Sequence, residues 1–225
     1  MRRDPTAKLV FSPAIRGFHW LLVLLVGAQI YTGRFGDGVG SMAWHERFGF
    51  LTLVLVVFRV LFGIWGDQVA RFSYMLPRWE EAQAYARSFF KRQPVFWPGH
   101  SPSAALGAIG LLTSCLVQAV TGLFSKDDIV SKGPLSGEVS EETSSLFTAI
   151  HEINSYILFT LIALHLAAIT FYAFYKTENL LPAMLSGRRH PPATHPWPPL
   201  RFAPWWLTLA TFVLAFVMVA FAVYG

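Results

Sequence analysis

Apolar residues along this chain fall in long unbroken runs. Five runs stand out, at about 14–32, 44–65, 103–124, 146–174 and 205–224. Each approaches or exceeds the roughly 20 helical residues needed to cross the hydrocarbon core of a bilayer. Strands of a membrane β-barrel would alternate apolar and polar residues, and none of the five does. The pattern predicts an all-α integral membrane protein with five transmembrane helices. The first run lacks the small-residue cleavage site of a signal peptide and is expected to stay in the bundle.

Composition agrees with that solvent. The chain is 54% hydrophobic and 14% charged, against roughly 25% charged residues in an ordinary soluble domain. The net charge of +5 is unevenly distributed. The head (Arg2, Arg3, Lys8 and Arg16 against Asp4), the second loop (Arg71, Arg78, Arg87, Lys91, Arg92) and the fourth connection (Lys176, Arg188, Arg189, Arg201) hold thirteen of the eighteen basic residues. With five spans all three segments fall on one side, which the positive-inside rule makes cytoplasmic. The N-terminus is then inside and the C-terminus outside. The connection 125–146 has Lys126 and Lys132 against Asp127, Asp128, Glu138, Glu141 and Glu142, and is expected outside. The basic surplus reflects topology; no basic stripe interleaved with exposed aromatics points to nucleic acid.

The candidate chemistry lies in the histidines. "HEINSYILFTLIALH" begins with His151 and ends with His165, fourteen residues apart. That is close to four helical turns and roughly 21 Å of rise, so both rings leave one face at two depths. His45 stands near the outer start of the second span and His19 near the inner start of the first. Two layers result, His45 with His151 outside and His19 with His165 inside. A haem iron needs two axial ligands, and each layer offers two rings from different helices. One membrane histidine is explained as readily by an interhelix hydrogen bond; two depth-matched pairs are not. Neither layer offers the four ligands of structural zinc. A transporter would be expected to show mid-membrane acids or paired broken helices, which are absent from the sequence.

Arg59 lies inside the second span, fourteen residues after His45. A charge at that depth needs a buried partner, for which a haem propionate would serve; the rival is snorkelling to the headgroups. Arg47 and Arg34 are candidates for the outer haem, Arg16 for the inner. Gly49 and Gly63 are read as clearance for flat rings. His100, in "WPGHSPSAALG", is either an interfacial loop residue or a propionate or quinone contact. His190 and His195 sit in a stiff connector where five of the residues from Pro191 to Pro199 are proline; no metal site is expected there. Cys115, alone, permits no internal disulfide and reads as packing.

"IRGFHW", "WHERFGF…FRVLFGIWG", "PGHSPSAALG", "TGLFSKDDIVSKGPLSGEVS", "HEINSYILFTLIALH" and "ENLLPAMLSGRR" together resemble the bacterial di-haem cytochromes b of the prokaryotic cytochrome b-561 and nickel–iron-hydrogenase b-subunit superfamily. The likeness covers about residues 9–190. It implies a four-helix membrane bundle holding two b haems, on His45 with His151 and on His19 with His165, within a domain at 1–190. The Gly-His-Asn-Pro of the family reads Gly99-His100-Ser101-Pro102 here. Residues 191–204 form a Pro-rich cytoplasmic tether, and 205–225 an added fifth transmembrane helix without charge or histidine, a candidate docking element for a partner subunit. The resemblance implies electron transfer in the bacterial inner membrane, between the quinone pool and a periplasmic c-type cytochrome or redox enzyme subunit. The acidic outer segment favours a basic cytochrome c. The quinone is expected near the inner haem, around His100, Arg59 and Trp20. Alternatives are a superoxide-oxidising quinone reductase and a haem-free membrane anchor of a redox complex.

Overall fold

The computed structural model describes residues 7–36, 38–92, 97, 99–126, 132–190, 197 and 199–225. Arg2, Arg3, Asp4, Asp127, Asp128, Pro191, Pro192, His195, Pro196 and Pro198 therefore lie outside the described residues.

The chain runs through β1 (Lys8–Leu9), α1 (Pro13–Arg34), α2 (Gly38–Trp65), α3 (Phe72–Met75), α4 (Trp79–Ser88), α5 (Pro102–Phe124), α6 (Glu141–Phe174), α7 (Leu181–Ser186), β2 (Arg188–Arg189) and α8 (Trp205–Tyr224). Of these, α1, α2, α5, α6 and α8 are long and apolar enough to cross a membrane. The all-α expectation holds, apart from the two-residue antiparallel ribbon of β1 with β2. The second and fourth spans begin earlier than their apolar runs, at Gly38 and Glu141. Both opening turns contain polar or small residues that a hydrophobic count passes over.

Local chemistry sets the helix starts. The Ser12 hydroxyl accepts from the Ile15 N–H (3.3 Å) and Pro13 takes the first helical position. Ser101 and Pro102 open α5 in the same way, with Ala104 N–H as donor (3.4 Å), and Ser140 caps α6 through Thr143 N–H (3.2 Å). These caps satisfy donors that a helix leaves unpaired, and proline is pre-set for the position it occupies. Gly38, at φ +77°, makes the left-handed step between α1 and α2 that a side chain would resist.

The spine of the bundle is α2, which packs against α1, α5 and α8, while α5 packs against α6. Helix α2 accordingly buries Thr52 to Val56, Phe58, Arg59, Phe62 and Gly63. By contrast α1 buries only Ile15 and Thr32, and α6 only Ser144, Asn154 and Leu158. The two outer helices do not form a packed pair with each other. In lipid no hydrophobic force draws helices together, so close packing and hydrogen bonds must do so. The α2–α8 contact shows how: Thr211, Ala215, Val219 and Val223 recur every fourth residue as a buried stripe of small and β-branched side chains. Trp65 Nε1 donates to Thr211 Oγ1 (2.9 Å). The fifth helix thus has one face committed to its own chain.

The end of the bundle that gathers β1, α3, α4 and α7 carries the basic connections and is called here the basic end. Arg189 ties it together. Its guanidinium donates to the carbonyls of Trp97 (2.8 Å) and Gly99 (3.4 Å), pairs with the buried Glu178 carboxylate, and lies 5.5 Å from the centre of the Trp197 ring. Trp197 is buried, and Asp67 Oδ1 accepts from Ala203 N–H (2.7 Å). The described part of the Pro-rich connector is therefore seated on the bundle. Burial raises the Glu178 pKa, against the opposing pull of Arg189, and lowers that of Arg189. Removing one partner of such a pair strands the other. Glu178→Ala is expected to cost about 3–5 kcal/mol of stability, read as a large drop in melting temperature in detergent. Arg78→Ala, whose pair with Glu80 is exposed, should change it little. Equal effects of the two would contradict the clasp.

Candidate functional site

His45 on α2 and His151 on α6 meet at the end opposite the basic one. Their ring centres are 6.4 Å apart and their planes cross at 77°. Each ring is held by a neighbouring helix. His45 Nδ1 lies 3.1 Å from the main-chain carbonyl of Gln29 on α1, and His151 Nδ1 lies 2.9 Å from that of Gln118 on α5. A carbonyl only accepts, so both Nδ1 atoms carry the proton. Nε2 is then the lone-pair nitrogen of each ring. On His151 that lone pair accepts from the Gln118 amide nitrogen at 3.0 Å, whose oxygen in turn accepts from Asn154 Nδ2 (2.7 Å). Arg47, exposed on α2, stacks 4.9 Å from the Trp44 ring centre. Arg34 donates to Ser155 Oγ (3.2 Å) and lies over Tyr156, joining α1 to α6 at this end.

His19 and His165 differ. They stand on α1 and α6, the two helices that are not packed as a pair, and their rings are not in stacking contact, though the two are near enough to interact electrostatically. His165 is exposed on α6, and His19 is half-buried with Nδ1 sealed from solvent and lacking a hydrogen-bond partner. The basic end beside them holds further such atoms: Arg16 Nε, Arg59 Nη1, Asp67 Oδ2, Trp97 Nε1 and His100 Nδ1. Buried polar groups are normally paired, so this concentration is unusual. Among the described residues no such atom occurs at the His45–His151 end.

Arg59 is 7% exposed and roofed by α3, with Nη2 4.0 Å from Met75 Sδ and the guanidinium 5.3 Å from the Phe72 ring centre. It does not snorkel. The close approach allowed by Gly63 is made by Phe72, since a Cβ there would stand 2.4 Å from its ring; Gly49 faces the Gln29 side chain. His100 packs edge-on against Phe11, with ring centres 5.8 Å apart. Arg16 and Trp20 instead bind carbonyls of α7, those of Leu185 and Met184, and line a groove of about 330 Å³ with Leu21 and Leu24.

Residues 10–187 match the model of one protein family, described as prokaryotic cytochrome b561. The chain belongs to the prokaryotic cytochrome b561 family. It is a multi-pass membrane haem protein of electron transport, and α8 lies beyond the matched residues. Comparison with curated proteins returns no match, and comparison with solved structures returns none.

The residues present in this cytochrome b561 fit haem. Two imidazoles on opposite sides of one iron, at roughly 2 Å per metal–nitrogen bond, have ring centres roughly 6 Å apart. His45 and His151 have that separation, with Nδ1 protonated on each; Nε2 carries the lone pair, which on His151 the Gln118 side chain would have to release to an iron. At the basic end, the unpartnered donors of Arg16, Arg59, Trp97 and His100 suit the carboxylates of propionates. Sequence reasoning missed Gln29, Thr32, Gln118 and Thr121, which hold the two rings, and Asn154, which holds the Gln118 side chain. A signal was there: "QIYTG" at 29–33 and "QAVTG" at 118–122 share Gln-x-x-Thr-Gly.

Burial first, then Arg59 and Arg189, push the His100 pKa down from 6.5 to about 4. In the haem-free protein, with no propionate carboxylate beside it, its folded form stays neutral where the unfolded chain gains a proton, so stability is lost as pH falls from 6.5 towards 4. Melting of the protein and of His100→Gln should run parallel above pH 7. Between pH 6.5 and 4.5 the curves should shift in favour of the variant. Parallel curves throughout would show that His100 titrates like a solvated histidine.

Proposed function

We propose that this cytochrome b561 carries electrons across the bacterial inner membrane through two b haems. His45 and His151 ligate one, and His19 and His165 the other. The observation that carries the reading is the His45–His151 pair, 6.4 Å between ring centres with both Nδ1 protons committed to carbonyls. Bound there, each haem supplies a one-electron iron couple. The protein's own residues do the rest. Histidines on α6, fourteen residues apart, serve both layers, so one helix fixes the spacing of the two sites. The gap between α1 and α6 accommodates the second macrocycle, and Arg59, Arg16, Trp97 and His100 neutralise or bind its carboxylates. The basic end is cytoplasmic by its lysine and arginine content.

Quinone exchanges electrons at the cytoplasmic layer, and the groove beside Arg16 and Trp20 is the place that suits it. It opens towards lipid, is lined by apolar α1 side chains, and offers the Arg16 cation at its edge. At the periplasmic end the partner is a redox protein with a basic face, such as a c-type cytochrome. The acid surplus of 125–146 supports this, Lys126 there being paired with Glu141 at 2.7 Å. Opposite charge steers such an encounter. The outward face of α8, with Trp205, Leu209 and Val213 exposed, is available to a membrane subunit.

Alanine substitution of each histidine tests the layers. His45→Ala and His151→Ala should each lose the same haem and keep the other, read from reduced-minus-oxidised spectra of the purified chain. His19→Ala and His165→Ala should form the opposite class. If His45 and His165 variants shared a spectrum distinct from that of His151, the pairing would be wrong.

A further inference from the structure

Helices α1 and α5 are written alike. Ser-Pro opens each, and seventeen residues after the serine comes glutamine, followed by threonine and glycine: Gln29, Thr32 and Gly33 on α1, Gln118, Thr121 and Gly122 on α5. The contacts repeat as well. Thr32 Oγ1 donates to Ala28 O (2.8 Å) and stands 3.3 Å from His45 Nδ1. Thr121 Oγ1 donates to Val117 O (2.7 Å) and stands 3.3 Å from His151 Nδ1. With its own proton turned back to the helix, each hydroxyl offers a lone pair to the imidazole N–H, beside the glutamine carbonyl. Glycine makes the approach possible. A Cβ at Gly33 would stand 2.8 Å from His45 Cε1, and one at Gly122 would stand 3.0 Å from His151 Cε1.

We propose that Gln-x-x-Thr-Gly is a histidine cradle, present once on α1 and once on α5, that sets the electron-donating power of the His45 and His151 rings. Thr32 and Thr121 are positioning residues within it. The proposal rests on the reading of those two histidines as axial ligands. The physical basis is the polarisation of an imidazole by acceptors on its N–H. Second-shell acceptors fix the tautomer and raise the basicity of the metal-binding nitrogen, and a more basic ligand favours oxidised iron. The His45–His151 haem is thereby held at a lower potential than unsupported rings would give. His19 has no such support, since its Nδ1 is buried without a partner. Arg59, buried under α3 at the basic end, acts in the same direction on the difference between the layers, because fixed positive charge favours the reduced state. The bundle is therefore built as two similar hairpins, α1–α2 and α5–α6, each of which would hold one ligand of the same haem.

The test uses the full-length protein and potentiometric titration followed by absorption and by low-temperature electron paramagnetic resonance. Thr32→Val and Thr121→Val keep the side-chain shape and remove the hydroxyl. Both should shift the midpoint of one and the same haem to more positive values, change the resonance of its oxidised form, and leave the other haem unmoved. Thr32→Ser and Thr121→Ser should restore the native values, which a merely structural role for the methyl group would not. Gly33→Ala and Gly122→Ala should lower occupancy of that same haem, as His45→Ala does. If the two valine variants affected different haems, or moved neither midpoint while His45→Ala still lost one haem, the cradle would be refuted and the ligand assignment would stand. Retention of both haems by His45→Ala would instead remove the ligand assignment, and the cradle with it.

Discussion

A neutral imidazole has two nitrogens with opposite needs, one a donor and one a lone pair, and inside a membrane each must find its counterpart within the protein. In this chain the donors of His45 and His151 are answered by carbonyls that helices α1 and α5 already use internally, each lending a second lone pair. That arrangement leaves Nε2 as the lone-pair nitrogen of each ring. It also fixes where α1 must lie against α2, and α5 against α6. The two most extensive helix contacts of the bundle coincide with the two histidine supports. Close packing at Gly33 and Gly122 and chemistry at the rings are thus one requirement.

The rest of the architecture follows from a spine that is full and a flank that is open. Helix α2 is enclosed by three neighbours, the last being the added helix α8, and so can bury Arg59 under α3. Helices α1 and α6 keep their apolar lengths mostly uncovered and stand apart as a pair. The polar atoms without partners collect at the basic end beside that open flank. Under the proposed function, propionate carboxylates would supply the acceptors that most of these atoms want. The two ends thus differ among the described residues: one satisfies its polar atoms by hydrogen bonds within the protein, and the other holds donors that the proposed haem would engage.

Much of this was legible in the residues. Runs of apolar residues located five spans, and the fourteen-residue interval between His151 and His165 implied two layers. The prokaryotic cytochrome b561 resemblance agrees with the family match over 10–187. Other features left weaker traces. Helices α3 and α7 span four and six residues, too few for periodicity to show. The roof over Arg59 and the contact of Gly63 with Phe72 were therefore invisible. Main-chain carbonyls of Gln29 and Gln118 have no side-chain signature, although the repeated Gln-x-x-Thr-Gly around them does. Prolines suggested a stiff, extended connector, and left no sign that Trp197 in the same stretch is buried.

The central claim is that four histidines hold two haems in one chain. Haem content per chain, measured on the purified full-length protein by extraction assay and followed by low-temperature resonance of the oxidised form, tests it most directly. The account expects two b-type haems per chain, both low-spin with two nitrogen axial ligands and with separable signals. A single haem per chain, or an oxidised form dominated by high-spin iron, would contradict it.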